Sequence, residues 1–205
     1  MYKTIDENTS AEIVEKKSKF IANLFYVASR EEAEAMIKKL NKQYYDARHN
    51  CYAYRVLEDA VIEKASDDGE PSGTAGAPML TILSKQNMVN VLVVVTRYFG
   101  GILLGTGGLV KAYSEATKKA IENAKLTNLE QGYLYKFEIN YADLENFKYF
   151  LTLHHIKVLK NEYFENVVLE VFVPEKEEKC LNSEKINDFH LISSEKIKKS
   201  NTKNP

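Results

Sequence analysis

The chain has no tryptophan, only two cysteines and no long apolar run. Each shortage excludes something. A membrane-spanning helix needs about 18–20 apolar residues, and the absence of such a run removes the membrane as a partner. The first ten residues, MYKTIDENTS, hold no apolar stretch of the secretory type. Cys51 and Cys180 lie far apart, so they are expected as reduced thiols in different domains, not as a disulfide. Their spacing is also not that of a zinc site. Neither sign of charge is in excess: 28 Lys and Arg stand against 29 Asp and Glu, for a net charge of -1. That balance gives no support to blanket nucleic-acid binding, but a local basic patch is compatible with it. A cytoplasmic location is expected.

What is present is an ordinary globular composition, long enough at 205 residues for one large domain or two small ones. Lys19–Val27 reads as a strand. Ser29 then caps a helix, with Glu32 completing a capping box and Ala33, Met36, Ile37 and Leu40 forming one apolar stripe. Cys51–Leu57 alternates as a half-buried strand. Ser66–Pro78 is turn-forming, and Pro78 suits the first turn of a short helix to about Leu83. Val89–Thr96 is rich in β-branched residues and reads as a strand buried on both faces. A glycine loop, Gly100–Gly108, opens a long helix carrying Leu109, Tyr113, Ala116, Ala120 and Ala124 on one side.

The pattern then repeats in kind. Tyr133–Tyr141 is a strand with Tyr133, Tyr135, Phe137, Ile139 and Tyr141 on one face. Asp143 is placed to cap a helix with Leu144, Phe147 and Leu151 inward. Ile156–Phe164 and Val167–Val173 form a hairpin, Glu175–Asn187 a second helix, and Phe189–Ser193 a last strand. The resulting βαββαβ order is that of a ferredoxin-like split. The boundary is expected near Leu126–Gly132, giving domains 1–128 and 129–205, with a frayed polar end, KIKKSNTKNP.

Three segments carry candidate chemistry. In the first, a buried strand runs through Arg97, Tyr98 and Phe99 into Gly100 and Gly101, then Gly105, Thr106, Gly107 and Gly108. Glycines permit a close backbone approach, and a helix start favours an anion, to which Arg97 and Lys111 add charge. It is neither a Walker A loop nor a good dinucleotide fingerprint. Anion contact and a plain tight turn both account for it. The second is the acidic loop holding Asp67, Asp68, Glu70, Ser72 and Thr74. Three carboxylates suggest a divalent cation or a general base, but a solvated turn bonding its own backbone is the favoured reading. The third pairs His49 with Cys51 on one strand face about 7 Å apart by strand rise. That separation favours a structural thiol and a half-exposed histidine. His154 and His155 sit at a helix end without visible ligand partners.

Together these segments resemble the YigZ/IMPACT family. The resemblance runs through His49–Arg55, Asp67–Pro78, Val94–Gly101 and Leu104–Tyr113, and so covers the first domain. The second domain is similar in arrangement more than in motif. The family resemblance implies an α+β protein of two domains. The first is an α/β sandwich similar to those of ribosomal proteins and elongation factor G domain IV; the second is ferredoxin-like, as in the last domain of elongation factor G. Both relatives bind RNA or act on the ribosome. The eukaryotic members regulate translation initiation under amino-acid starvation, and this chain is expected to start directly in the family domain.

Two functions follow. The leading expectation is a non-enzymatic regulator that touches RNA or the ribosome, with the glycine loop, Arg97 and Lys111 meeting phosphate and Tyr98 or Phe99 stacking on a base. It requires a basic patch beside the loop. The alternative is a metal-assisted hydrolase or phosphate-transfer enzyme, requiring both loops to share one pocket with His49 or Arg97 in reach. Protein–protein docking through the glycine motifs is a third possibility. No cofactor is expected under the leading reading, and a divalent metal only under the alternative.

Overall fold

The computed structural model describes residues 2–58, 60–182 and 190–200. Its contacts separate two units, residues 1–128 and 129–205. The architecture is mixed α/β with antiparallel sheets.

The first unit is built on a five-stranded antiparallel sheet in the order β2-β3-β6-β4-β5. These strands are Thr9–Glu15, Ser18–Tyr26, Val91–Tyr98, His49–Leu57 and Val61–Ser66 respectively, and a short β1, Lys3–Ile5, precedes them. The β6 strand lies centrally, and its side chains alternate between two cores. Val91, Val93 and Val95 join one buried cluster with α2 (Gly76–Lys85) and α3 (Gly105–Glu122). Leu92 and Val94 join another with Ala33, Ile37 and Leu40 of α1 (Arg30–Gln43). The expected burial on both faces follows directly from this layering. Ser29 caps α1 as expected, its Oγ accepting from the Glu32 amide at 3.2 Å.

Three strands of this unit, β1, β2 and β5, do not stand out in the sequence. The β2–β3 turn is Lys16-Lys17, both with positive φ (45° and 65°). Such a turn ordinarily carries Asn-Gly, so two lysines give no signal. The glycine segment also differs from the expected loop. The helix α3 begins at Gly105, so Gly105, Gly107 and Gly108 belong to its opening turn.

The second unit is antiparallel throughout, with strand order β10-β7-β9-β8. These are His190–Ser200, Leu126–Ile139, Val167–Pro174 and Lys157–Tyr163, joined by α4 (Leu144–Leu153) and a 3-10 helix, Glu175–Asn182. Phe137, Phe147 and Leu151 pack in its core. Asp143 occupies the N-cap of α4 without capping through its side chain. Its φ and ψ (-97°, -8°) are helical, whereas a capping side chain needs an extended backbone. The segment read as a second helix is a 3-10 helix, and its end, 183–187, lies outside the described residues. The last strand is described from His190, and Phe189 also lies outside the described residues. It runs through Ser200, with Lys196–Ser200 paired to Tyr133–Leu129, so the polar end is strand that far.

Candidate functional site: a cavity between the acidic and glycine segments

Antiparallel pairing sets His49 opposite Arg97. Both face α3, and the acidic loop folds over them. Asp67 shapes that loop. Its carboxylate accepts the backbone amides of Gly73, Ala75 and Gly76 at 2.8, 2.9 and 2.8 Å. Burial opposes its ionisation, but these three donors outweigh burial and hold its carboxyl below the usual value. Asp68 accepts the Asn50 amide at 2.6 Å. Asp67 therefore bonds the loop's own backbone, as a self-bonded turn requires, whereas Asp68 ties the loop to β4.

Glu70 departs from the solvated turn. Its side chain is 3% exposed and its Oε1 lies 2.6 Å from Arg97 Nη1, whose side chain is 7% exposed. Tyr113 donates to the same oxygen at 2.8 Å. The His49 Nδ1–H donates to the Asp68 carbonyl at 2.7 Å, which leaves Nε2 4.0 Å from Glu70 Oε1. Arg97 is clamped between rings, its guanidinium carbon 5.5 Å from the Phe20 centroid and 5.6 Å from that of Phe99. Its Nε is buried without a hydrogen-bond partner. A buried ion pair this dry is expensive unless fully bonded.

Cys51 Sγ lies 2.9 Å from the Asp67 carbonyl and 3.3 Å from the Tyr113 hydroxyl. Burial pushes this thiol up to about 12, with its contact to the Tyr113 hydroxyl opposing only part of the shift. Burial likewise raises Tyr113. Full burial and these two contacts fit a protonated structural thiol rather than a nucleophile activated by His49.

A cavity of about 440 Å³ opens over this network. The acidic loop lends it Gly69, Glu70 and Pro71, and the strands lend Arg48, His49, Arg97 and Phe99. Leu103 to Thr106 and Leu109 close the far side, including the start of α3. The two motif-bearing loops thus share one cavity. No side chain caps α3, and its first turn contains no acid, so no carboxylate of its own first turn competes for its amides and positive dipole end. The mouth is amphipathic. Phe99 is 41% and Leu103 82% exposed, and the exposed Arg48 guanidinium lies 6.0 Å from the Phe99 centroid. Gly100 packs on the β2–β3 turn, its amide bonding Ser18 Oγ at 3.1 Å, which sets the exposed Lys16 and Lys17 beside it.

Several expected site residues fall elsewhere. Tyr98 is on the opposite sheet face and donates to Asp46 at 2.9 Å. Lys111, Gly107 and Gly108 follow along α3 and do not line the cavity. Ser72 is exposed outside it, and Thr74 is buried with its hydroxyl on the Pro71 carbonyl at 2.6 Å. Among the described residues, Asp67, Asp68 and Glu70 do not converge as a metal-ligand group. The sequence did not single out Arg48, Lys16 and Lys17. Arg48 adjoins His49, but only its packing against Phe99 shows that it points to the cavity.

Fold and site together define a two-unit α/β protein whose first unit holds an amphipathic cavity over a buried Glu–Arg pair. The Impact N-terminal domain family model matches residues 16–121. IMPACT family member YvyE of Bacillus subtilis (strain 168) is 40% identical, covering 86% of this chain and 81% of the relative. IMPACT family member YigZ of Escherichia coli (strain K12) is 37% identical, covering 78% and 79%. A solved structure described as that of a hypothetical protein superposes with a TM-score of 0.63 at 30% identity, covering 94% of this chain and 96% of the other. The chain belongs to the IMPACT family.

Proposed function

We propose that the protein is a non-catalytic, translation-linked regulator that contacts RNA, free or on the ribosome, through the cavity face of its first unit. The observation that carries this reading is the placement of exposed Phe99 beside Arg48 at the mouth of a cavity that ends on the uncapped start of α3. An unpaired base stacks on an aromatic ring, and its phosphate meets the guanidinium and the helix amides. Lys16 and Lys17 supply the neighbouring positive charge, while Arg97 acts from below by holding Glu70 and Phe99. The strand order of the second unit supports its ferredoxin-like reading. The helix–sheet–helix layering of the first supports kinship with the ribosomal-protein and elongation factor G folds. Both fit the translation link that the family resemblance implies. No helix among the described residues is long and apolar enough to cross a membrane, and the site of action we assign is the cytoplasm.

The test is RNA and ribosome binding across a salt series, with wild type compared to Phe99→Ala and to Arg48→Ala plus Lys17→Ala. Binding should weaken with salt, and the basic double variant should flatten that dependence. Phe99→Ala should weaken binding while leaving the salt slope intact. Absence of binding at low salt would remove this reading.

A second reading is a small-molecule enzyme. It is favoured by the convergence of both loops on one cavity with His49 and Arg97 in its lining. A saturable small ligand protecting the cavity, with no RNA affinity, would favour it.

A further inference from the structure

In the sequence His154 has no visible partner; the fold supplies two. It is the C-cap of α4, with its ring centroid 4.5 Å from that of Phe150. His155 follows with φ 53° and turns the chain toward β8. The 3-10 helix Glu175–Asn182 faces this corner. With three residues per turn, positions three apart lie in line, so Glu177 and Cys180 share one side. His154 Nδ1 lies 3.9 Å from Glu177 Oε2. The nitrogen, the carboxylate oxygen and Cys180 Sγ all lie within 4.8 Å of one another.

We propose that His154, Glu177 and Cys180 form a transition-metal site suited to zinc. Ligand atoms on a tetrahedral zinc sit roughly 3.3–3.8 Å apart, given bonds of about 2.0–2.3 Å. The observed spread is wider by about an ångström, a gap that rotamer changes of partly exposed side chains close. A thiolate and an imidazole beside one carboxylate suit zinc and disfavour the hard ions magnesium and calcium. Three protein ligands leave a fourth position for water. Burial and the Glu177 charge both raise the Cys180 thiol. A bound dication reverses that balance, and the thiol proton passes to solvent as the sulfur–metal bond forms. This site is separate from the cavity of the first unit and does not depend on the RNA reading.

The test uses the untagged full chain, titrated with Zn²⁺ against a chromophoric chelator and separately with Co²⁺. One metal per chain should bind, and Co²⁺ should give visible bands of tetrahedral geometry with a near-ultraviolet thiolate charge-transfer band. Cys180→Ser should abolish the charge-transfer band, and His154→Ala should weaken zinc by more than about tenfold. Cys51→Ser should leave the band in place. Circular dichroism of each variant checks its fold. The proposal is overturned if Cys180→Ser, folded, binds zinc as wild type does, or if the thiolate band follows Cys51.

Discussion

At the scale of single residues, the Glu70–Arg97 pair dominates the first unit because both charges are almost dry. Removing one partner leaves the other buried and uncompensated, at a cost of about 3–5 kcal/mol. Arg97→Met should therefore lower stability by about that amount in urea unfolding. Adding Glu70→Gln should recover most of the loss, since the amide needs far less compensation than a carboxylate. Equal instability of single and double variants would mean that packing against Phe20 and Phe99 matters more than charge. Cys51 makes a separate case. Its pKa is raised, so the neutral thiol is the folded form. The associated stability is fully present below the ordinary thiol value of 9.0 and is lost as pH rises through about 12. At pH 8 a disulfide reagent should leave Cys51 untouched in the native protein and modify it only after denaturation.

At the scale of elements, two glycines that look alike in the sequence behave oppositely. A Cβ at Gly100 would overlap the Lys17 carbonyl and the Ser18 amide, backbone that cannot yield. Gly100→Ala should detach the β2–β3 turn from the end of β6, with a stability loss above about 2 kcal/mol. Gly107 lies in α3 with nothing within 4 Å of a Cβ, so Gly107→Ala should gain up to about 1 kcal/mol through helix propensity. Thermal unfolding of the two variants measures both signs. The loop held by Asp67 carries a pH signature. Its folded pKa is depressed, so its contribution is present above the ordinary value of 3.8 and lost as pH falls through the lower folded value. Asp67→Asn should destabilise the protein near neutrality, and the gap from wild type should close as pH falls below about 3.8. Such elements show how legible the chain is. The β6 strand, α1 and α3 announce themselves through β-branched density, a capping box and a four-residue stripe. The β2 strand stays silent beside the legible β3, because the turn that joins them forces lysines into the conformation glycine prefers. The segment from Glu175 is legible as helical but not as a 3-10 helix, because residue types do not separate a three-residue from a 3.6-residue period over so short a span.

At the scale of the whole molecule, the site was half legible for one physical reason. Motif residues such as Glu70, Arg97 and Gly105 are visible as types, but whether a charge faces water or another charge depends on strand register. Arg97 read as a phosphate contact; it lines the cavity but is nearly buried and paired with Glu70, while Arg48, against the same Phe99 ring, carries the exposed charge. The same dependence on tertiary packing sets how the two units differ in stability. Among the described residues the first unit has two buried clusters, one on each sheet face, and the second has one. Apolar burial is the main stabilising term, so residues 1–128 should resist denaturant longer than residues 129–200. Hydrogen exchange followed by mass spectrometry in rising urea should show amides of β9 and α4 exposed at concentrations where those of β6 and α3 remain protected. Zinc should shift the first of these transitions alone, because a ligand stabilises only the unit whose native state it binds. Loss of protection in both units at one urea concentration would instead mean that the chain unfolds as a single cooperative body.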